Sequence, residues 1–514
     1  MYDYNIGLRF QHTADQHSRR NAIWFNSNES ISYEELNKFA NRIARFLINR
    51  GVGARDVVCL SGEKSALTFA TLIACLKLGA PYCVLDPDSP VERLRKMLAI
   101  CRPRLLLAEG EFPAEWADAA RHLEIELCIE DAWDLSNYDD TNLSQTEQIT
   151  GSNPAYIMFT SGSTGFPKGA VITHSAVLNF IEWSRSTFRI SSDDVVTNLN
   201  PLFFDNSVFD FYATLLNGAC LTPFSALEVR EPKQLVEKIA AAGCTLWFSV
   251  PSLLIFLQTM RATNGHNLKS IRRFIFGGEG YPKAKLKSLY ETYSPAAEFF
   301  NVYGPTECTC ICSSYKISDD DFTELQTLPA LGQIAENFSS LILDETGAAV
   351  ARGEIGELCL LGPNVGLGYY NDAEQTAASF VQNPLNDKFP EIMYRTGDLV
   401  SLGSDGKLYI SGRRDNQIKH MGHRIELEEI ESALNNLDYI SEGAALYGSF
   451  NGLGRIVAVV AADSQFTDDQ IRRDLKQLLP GYMVPASFYR ETMLPRNANG
   501  KLDRNLLAKT YLQS

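Results

Sequence analysis

The sequence predicts an α/β protein: a large N-terminal domain of parallel α/β subdomains, a small β subdomain, and a small α+β C-terminal domain. Three observations carry this. Short apolar runs alternate with segments of helical periodicity between residues 57 and 276, the pattern of βαβ units with parallel strands. The 514 residues exceed what one hydrophobic core usually serves. From about residue 341 the pattern changes to short strands with turn signals, as at 356–361 and 407–410.

The elements follow in order. Ser32 and Glu35 form a capping box, Leu36, Phe39, Ile43 and Leu47 continue at helical spacing, and Gly51 ends the helix. Strands are expected at 57–60, 82–85 and 104–108, with helices at 66–78 and 91–100 between them. Residues 110–150 read as a polar, irregular connection. The alternation restarts with a buried strand at 156–159. A helix at 176–184, a strand at 195–198 and a helix at 208–216 follow, then a helix at 232–242 stopped by Gly243 and strands at 245–249 and 273–276. In open α/β sheets ligands bind beyond the carboxyl ends of strands. Here those ends carry Asp205, Ser249, the Gly277-Gly278-Glu279 run and the 301–307 segment, which points to one shared cleft. Gly412 to Asp415, where a strand gives way to a charged turn, is the candidate hinge. It divides the chain into 1–412, a hinge at 413–415, and 416–514.

Composition sets limits. Hydrophobic residues make up 45% and charged residues 21%, an ordinary globular balance. A net charge of −15 argues against general binding to nucleic acid or anionic membrane. The N-terminus has no signal-peptide core, and no uninterrupted run of about 18 apolar residues occurs, so a soluble, cytoplasmic protein is expected. The 11 cysteines form no CxxC pair and mostly sit in apolar runs, as at Cys59, Cys75, Cys83, Cys220 and Cys244. They read as reduced core residues, without disulfides or zinc. Cys308, Cys310 and Cys312 alternate as in a strand with three thiols on one face, but no second ligand type accompanies them.

The loop after the 156–159 strand holds Thr160, Ser161, Gly162, Ser163, Thr164 and Gly165, then Pro167, Lys168 and Gly169. Glycines turn backbone N–H groups inward, hydroxyls add donors and the lysine adds charge, which makes an anion cradle. It is not a Walker A loop, because Pro167 precedes Lys168 where that motif needs Gly. The competing reading, a flexible Ser/Gly linker, fits poorly with a segment hung from a strand.

Together with this loop, the motifs at 301–307, 356–370, 394–399, 412–431 and 499–501 resemble, in order and end to end, the adenylate-forming superfamily. Within it the chain is most similar to amino-acid adenylation domains of nonribosomal peptide synthesis and to D-alanine:carrier-protein ligases. The resemblance implies attack of a carboxylate on the α-phosphate of MgATP, loss of pyrophosphate, and transfer of the acyl group to a thiol. It implies ATP and Mg²⁺ as cofactors and a mobile C-terminal domain pivoting at Asp415. It also implies a small amino acid as substrate and, as acceptor, a phosphopantetheinylated carrier protein in trans, with neither nucleic acid nor membrane as partner.

The resemblance assigns residues. Thr160 to Gly165 and Lys168 would hold the β- and γ-phosphates. Gly278, Glu279, Asn301, Tyr303 and Gly304 would help bind ATP, Asn301 at the adenine edge and Tyr303 on its face. Thr306 would contact the α-phosphate, Glu307 would hold Mg²⁺, and Asp398, aided by Arg413, would hold the ribose hydroxyls. Lys501 would meet the carboxylate and α-phosphate in the first step and swing away in the second, when the 416–424 loop forms the thioester site.

Asp205 would bind the α-ammonium group, because a buried carboxylate calls for a cation; the plain alternative is a helix cap. Asn206, Phe209, Ser249, Ile275, Gly277, Val302, Cys310 and Ile311 would line a compact, nearly uncharged pocket, with Phe204 as its aromatic gate. Gly277 stands where the D-alanine ligases carry a cysteine and reads as a loss of bulk. L-proline:carrier-protein ligases fit this pocket better. The alternatives are another small amino acid such as D-alanine, a coenzyme A ligase for a non-amino acid, and an inactive regulatory paralogue.

Overall fold

The computed structural model describes residues 3–110, 113–129, 133–162, 166–263, 267–450, 453–461, 466–496 and 502–512. Two sheets dominate the large N-terminal domain. The first has nine strands. At its centre Val195–Asn198, Leu246–Ser249, Arg273–Gly277 and Glu298–Tyr303 run parallel. The second has six strands, in the order Glu126–Ile129, Leu105–Ala108, Val58–Ser61, Tyr82–Val84, Pro154–Thr160 and Lys168–Thr173.

Local sequence explains the helices that join these sheets. Ala66–Leu78 is apolar around its whole circumference and is buried on nearly every side, as such a helix must be. Ser65 caps its start and Gly79, at φ 67°, closes its end. Tyr33–Asn49 starts at the expected Ser32–Glu35 capping box, and Pro232–Ala242 begins with proline and ends at a left-handed Gly243. One apolar core joins residues of both sheets, including Phe69, Tyr156, Phe209 and Leu246. Each such large side chain contributes about 1.5–3 kcal/mol on full burial.

Three expectations need correction. Residues 110–150 are not irregular throughout: Ala114–His122 is a helix, and Glu126–Ile129 is the edge strand of the six-stranded sheet. Phe209–Ala213, inside the predicted helix, makes a π-helical turn. Cys308, Cys310 and Cys312 do not form a strand. Thr306–Cys308 is a 3-10 turn, Thr309 and Cys310 follow with φ of 61° and 71°, and the thiols are buried in packing.

A third sheet pairs Ser339–Leu343, Ile355–Leu361, Ile392–Leu402, Phe380–Gln382 and Leu408–Arg413, all antiparallel, as the change of pattern near residue 341 foretold. Beyond it lies a hairpin, Gln417–His420 with His423–Glu426. The α+β segment that follows has the three-stranded sheet Glu442–Phe450, Leu453–Ala461 and Ser487–Glu491, and its own apolar core around Ile430, Val460 and Leu475. No helix among the described residues is long and apolar enough to cross a membrane.

Candidate active site

The strand ends of the nine-stranded sheet converge as predicted. Glu298–Tyr303 delivers Asn301 and Tyr303, and the turn behind it delivers Thr306 and Glu307. Gly304 is required there, because a Cβ would lie 2.2 Å from the Cys310 carbonyl oxygen. Asn301 Nδ2 donates to the Ala330 carbonyl at 2.8 Å. Glu279 accepts from the Ser252 amide at 2.7 Å and, across the cleft, from the Gly422 amide at 3.2 Å.

Three carboxylates define the site. Glu307 is completely buried; Tyr369 donates its hydroxyl to Oε1 at 2.7 Å and Arg424 donates Nη1 to Oε2 at 2.6 Å. Burial pushes Glu307 up, but Arg424 and Tyr369 more than offset this and hold it below the usual carboxylate range. Asp398 accepts from the Tyr303 hydroxyl and from Arg413 Nη1, each at 2.5 Å, which brings the two residues expected at the ribose into direct contact. Arg413 also holds Asp415, the expected pivot, at 2.6 and 2.8 Å.

Asp205 opens the short helical turn Asn206–Val208 but makes no capping bond. Its Oδ2 instead accepts from the Thr306 hydroxyl at 2.6 Å. Burial raises its pKa and the Thr306 bond offsets this only in part. The helix-cap reading therefore fails, and a half-buried carboxylate with a neutral partner remains.

The anion-cradle loop sits in a setting that sequence reading did not foresee. It joins antiparallel strands, Pro154–Thr160 and Lys168–Thr173, so Lys168 begins a return strand rather than ending a loop. Gly162 admits no side chain, since a Cβ would lie 1.9 Å from the Phe166 carbonyl oxygen. Thr160 Oγ1 is buried without a hydrogen-bond partner among the described residues. Ser161 Oγ donates to the Arg424 carbonyl at 2.7 Å and accepts from the Glu426 amide at 3.1 Å. Ser163, Thr164, Gly165 and Lys501 lie outside the described residues.

Around Asp205, Phe204 and Asn206 border a cavity of about 60 Å³ that also touches Thr306 and Arg424. Phe209, Ile275, Val302, Cys310 and Ile311 are buried together in the main core. Ser249 is buried too, accepting from Trp247 Nε1 at 2.8 Å and donating to the Val250 carbonyl at 3.0 Å. Gly277 does not leave a void. A Cβ there would lie 2.5 Å from the Val302 carbonyl oxygen and 2.7 Å from Val302 Cγ2, so the neighbouring strand already fills that space. The expected gain of room at this position is corrected accordingly.

Sequence reading quoted Lys419 and Arg424 within a motif but gave them no partners. Both lie on the 417–426 hairpin, which enters the site. Lys419 Nζ stands 5.0 Å from the centre of the Tyr303 ring, the ring assigned to adenine stacking. Burial lowers the Lys419 pKa, with Asp398 and Asp205 opposing. A larger cavity of about 620 Å³ extends from this point past Gly278, Asn301 and Asp398 to Tyr447 and Arg504 of the C-terminal segment.

A family model described as "AMP-binding enzyme" matches residues 10–370. Among curated relatives, "Dimodular nonribosomal peptide synthase" of Bacillus subtilis (strain 168) is 32% identical over 93% of this chain, which spans 20% of that protein. "Zwittermicin A synthase ZmaJ" of Bacillus cereus is 31% identical over 93% of this chain and 90% of its own length. The chain thus spans only a small part of several large relatives and nearly all of a compact one. Among solved structures, holo-PA1221, "an NRPS protein containing adenylation and PCP domains", superposes with a TM-score of 0.85 at 24% identity, over 99% of this chain and 84% of that one. That likeness establishes the fold, whereas the family match and the compact relative settle membership: the chain belongs to the AMP-binding enzyme family.

Proposed function

We propose that this chain uses ATP to activate a small, largely apolar amino acid, with L-proline as the leading candidate, and passes it to the phosphopantetheine thiol of a separate carrier protein. Asp205 carries the amino-acid part of this reading. It is a half-buried carboxylate in the same cleft as Glu307 and Asp398, hydrogen-bonded to the Thr306 hydroxyl and, among the described residues, to no cation, and burial raises its pKa. An α-ammonium group is the natural partner for such a charge. The compact relative ZmaJ, a synthase of zwittermicin A by name, and the carrier-bearing holo-PA1221 support the acid-to-thiol reading.

In the first step a substrate carboxylate oxygen bonds to the α-phosphorus as pyrophosphate leaves. Thr160 to Gly165 and Lys168 receive the leaving phosphates, Asn301 and Tyr303 hold adenine, Gly278, Glu279 and Gly304 help bind ATP, and Asp398 with Arg413 holds the ribose. Thr306 and Lys501 meet the charge that develops at the α-phosphate. Glu307, a buried oxygen ligand already facing a cation on the hairpin, fits Mg²⁺; when bound, that ion would neutralise phosphate charge. In the second step the thiol sulfur bonds to the acyl carbon, AMP leaves, and the thiol proton passes to solvent. The domains are 1–412 and 416–514, turning about 413–415 at Asp415.

Amino-acid-dependent ATP–pyrophosphate exchange across the proteinogenic acids plus D-alanine tests this. Strongest exchange with proline is expected. Proline at background removes that assignment, and exchange only with acids lacking an amine removes the amino-acid reading. Offering coenzyme A beside a phosphopantetheinylated carrier then identifies the acceptor.

A further inference from the structure

The hairpin carrying Arg424 is held over the site by contacts that the sequence reading did not assign. Arg93, on the helix Val91–Cys101, pairs with Glu429, on the helix Leu427–Asn435, across 336 residues of chain. Their side chains are only 9% and 5% exposed, so neither charge could stay where it is without the other. Glu429 Oε2 has no further partner among the described residues. Beside this pair, Tyr482 stacks on His423 with ring centres 3.6 Å apart and planes within 6°. His423 in turn meets the edge of Phe204, the residue bordering Asp205, at 4.6 Å. One continuous line therefore runs from an ion pair between the N-terminal domain and the C-terminal segment to the mouth of the amino-acid cavity.

This arrangement suits the second step better than the first. Each oxygen of Glu307 already accepts a hydrogen bond, from Tyr369 and from Arg424, and Lys419 lies against Tyr303. We infer that Arg93–Glu429, with the Phe204–His423–Tyr482 stack, is a latch that holds the hairpin in place for acyl transfer to the thiol and releases it for adenylation. Arg93 and Glu429 are positioning residues. When the C-terminal segment turns away both regain water, so the pair favours one orientation without obstructing the other.

This rests on the two-step reading above, and the test separates the two. The variants are Glu429→Gln, Arg93→Met, and the exchanged pair Arg93→Glu with Glu429→Arg. The probes are the amino acid most active in exchange and free pantetheine as the thiol. Exchange should stay within ~3-fold of the unaltered chain in all variants, as expected if the latch is open during adenylation. The maximal rate at which pantetheine consumes preformed adenylate should fall at least ~10-fold in the single variants, with little change in KM for pantetheine, about 1.4 kcal/mol of lost preference for the latched orientation. The exchanged pair should recover most of this loss, and where it fails to fold, the nearly isosteric Glu429→Gln decides. An unchanged transfer rate, or exchange falling in step with transfer, overturns the latch. Exchange rising while transfer is constant also overturns it, since the pair would then lock a resting state. Absence of exchange in the unaltered chain would instead sink the adenylation reading.

Discussion

The two sides of the cleft differ in sign and in construction. The N-terminal side is anionic: Asp205 and Glu307 stand in turns that follow strands, and Asp398 stands within the strand Ile392–Leu402. The C-terminal side is a two-stranded hairpin that inserts Lys419 and Arg424 among them. Gathering three carboxylates, two of them buried, is unfavourable by itself. The compensating cations come from two places: Arg413 of the third sheet pairs with Asp398, and Arg424 of the hairpin pairs with Glu307. The lesson is that the N-terminal side gathers the negative charge, and a hairpin from a distant stretch of chain supplies part of what neutralises it.

Experiments can break or sharpen this contrast. The largest effect is expected at the lysine proposed for the first step: Lys501→Ala should lower exchange by ~10²–10³-fold, by analogy with losing a preorganised donor at a developing charge. Unaltered exchange would remove Lys501 from the first step. On the anionic side, Asp205→Asn should raise KM for the amino acid by ~10²-fold, in line with 2–5 kcal/mol for truncating a buried charge pair, while KM for ATP stays within a few-fold. Equal loss for both substrates would mean general damage to the cleft.

Smaller effects probe the packing beneath. Gly277→Ala should destabilise by about 1–3 kcal/mol, read as a lower thermal midpoint, because its Cβ meets Val302. Adding Val302→Ala should relieve only the side-chain part of that clash; complete independence of the two changes would contradict the contact. The mildest test is pH. Burial raises the Asp205 pKa, so its charged form is lost as pH falls through a value above the ordinary carboxylate range. Amino-acid KM should therefore climb on acidification at a higher pH than for an ordinary aspartate, and Asp205→Asn should abolish that rise.

Much of the fold was legible from short-range signals. Helices Ala66–Leu78 and Pro232–Ala242 were read to the residue because their ends carry strong signals, a glycine stop in both and an initial proline in the second. The strand Lys168–Thr173 was missed because its first residues belong to a loop motif, and strand character there comes from pairing with Pro154–Thr160. The cysteines at 308, 310 and 312 imitated a strand through alternation alone, whereas left-handed Thr309 and Cys310 break that geometry. A different trio, Cys59, Cys83 and Cys101, has its sulfurs within 4.8 Å of one another, a convergence made by strand register and helix packing.

By itself the sequence determined the element types, the glycine-dependent turns, the cradle motif and the carboxylates at strand ends, because periodicity and backbone preference act over a few residues. Only the tertiary structure decided which charges meet. Arg424 reaches Glu307 across 117 residues and Arg93 reaches Glu429 across 336. Such pairs depend on how sheets, helices and the hairpin pack, and no local propensity encodes that distance.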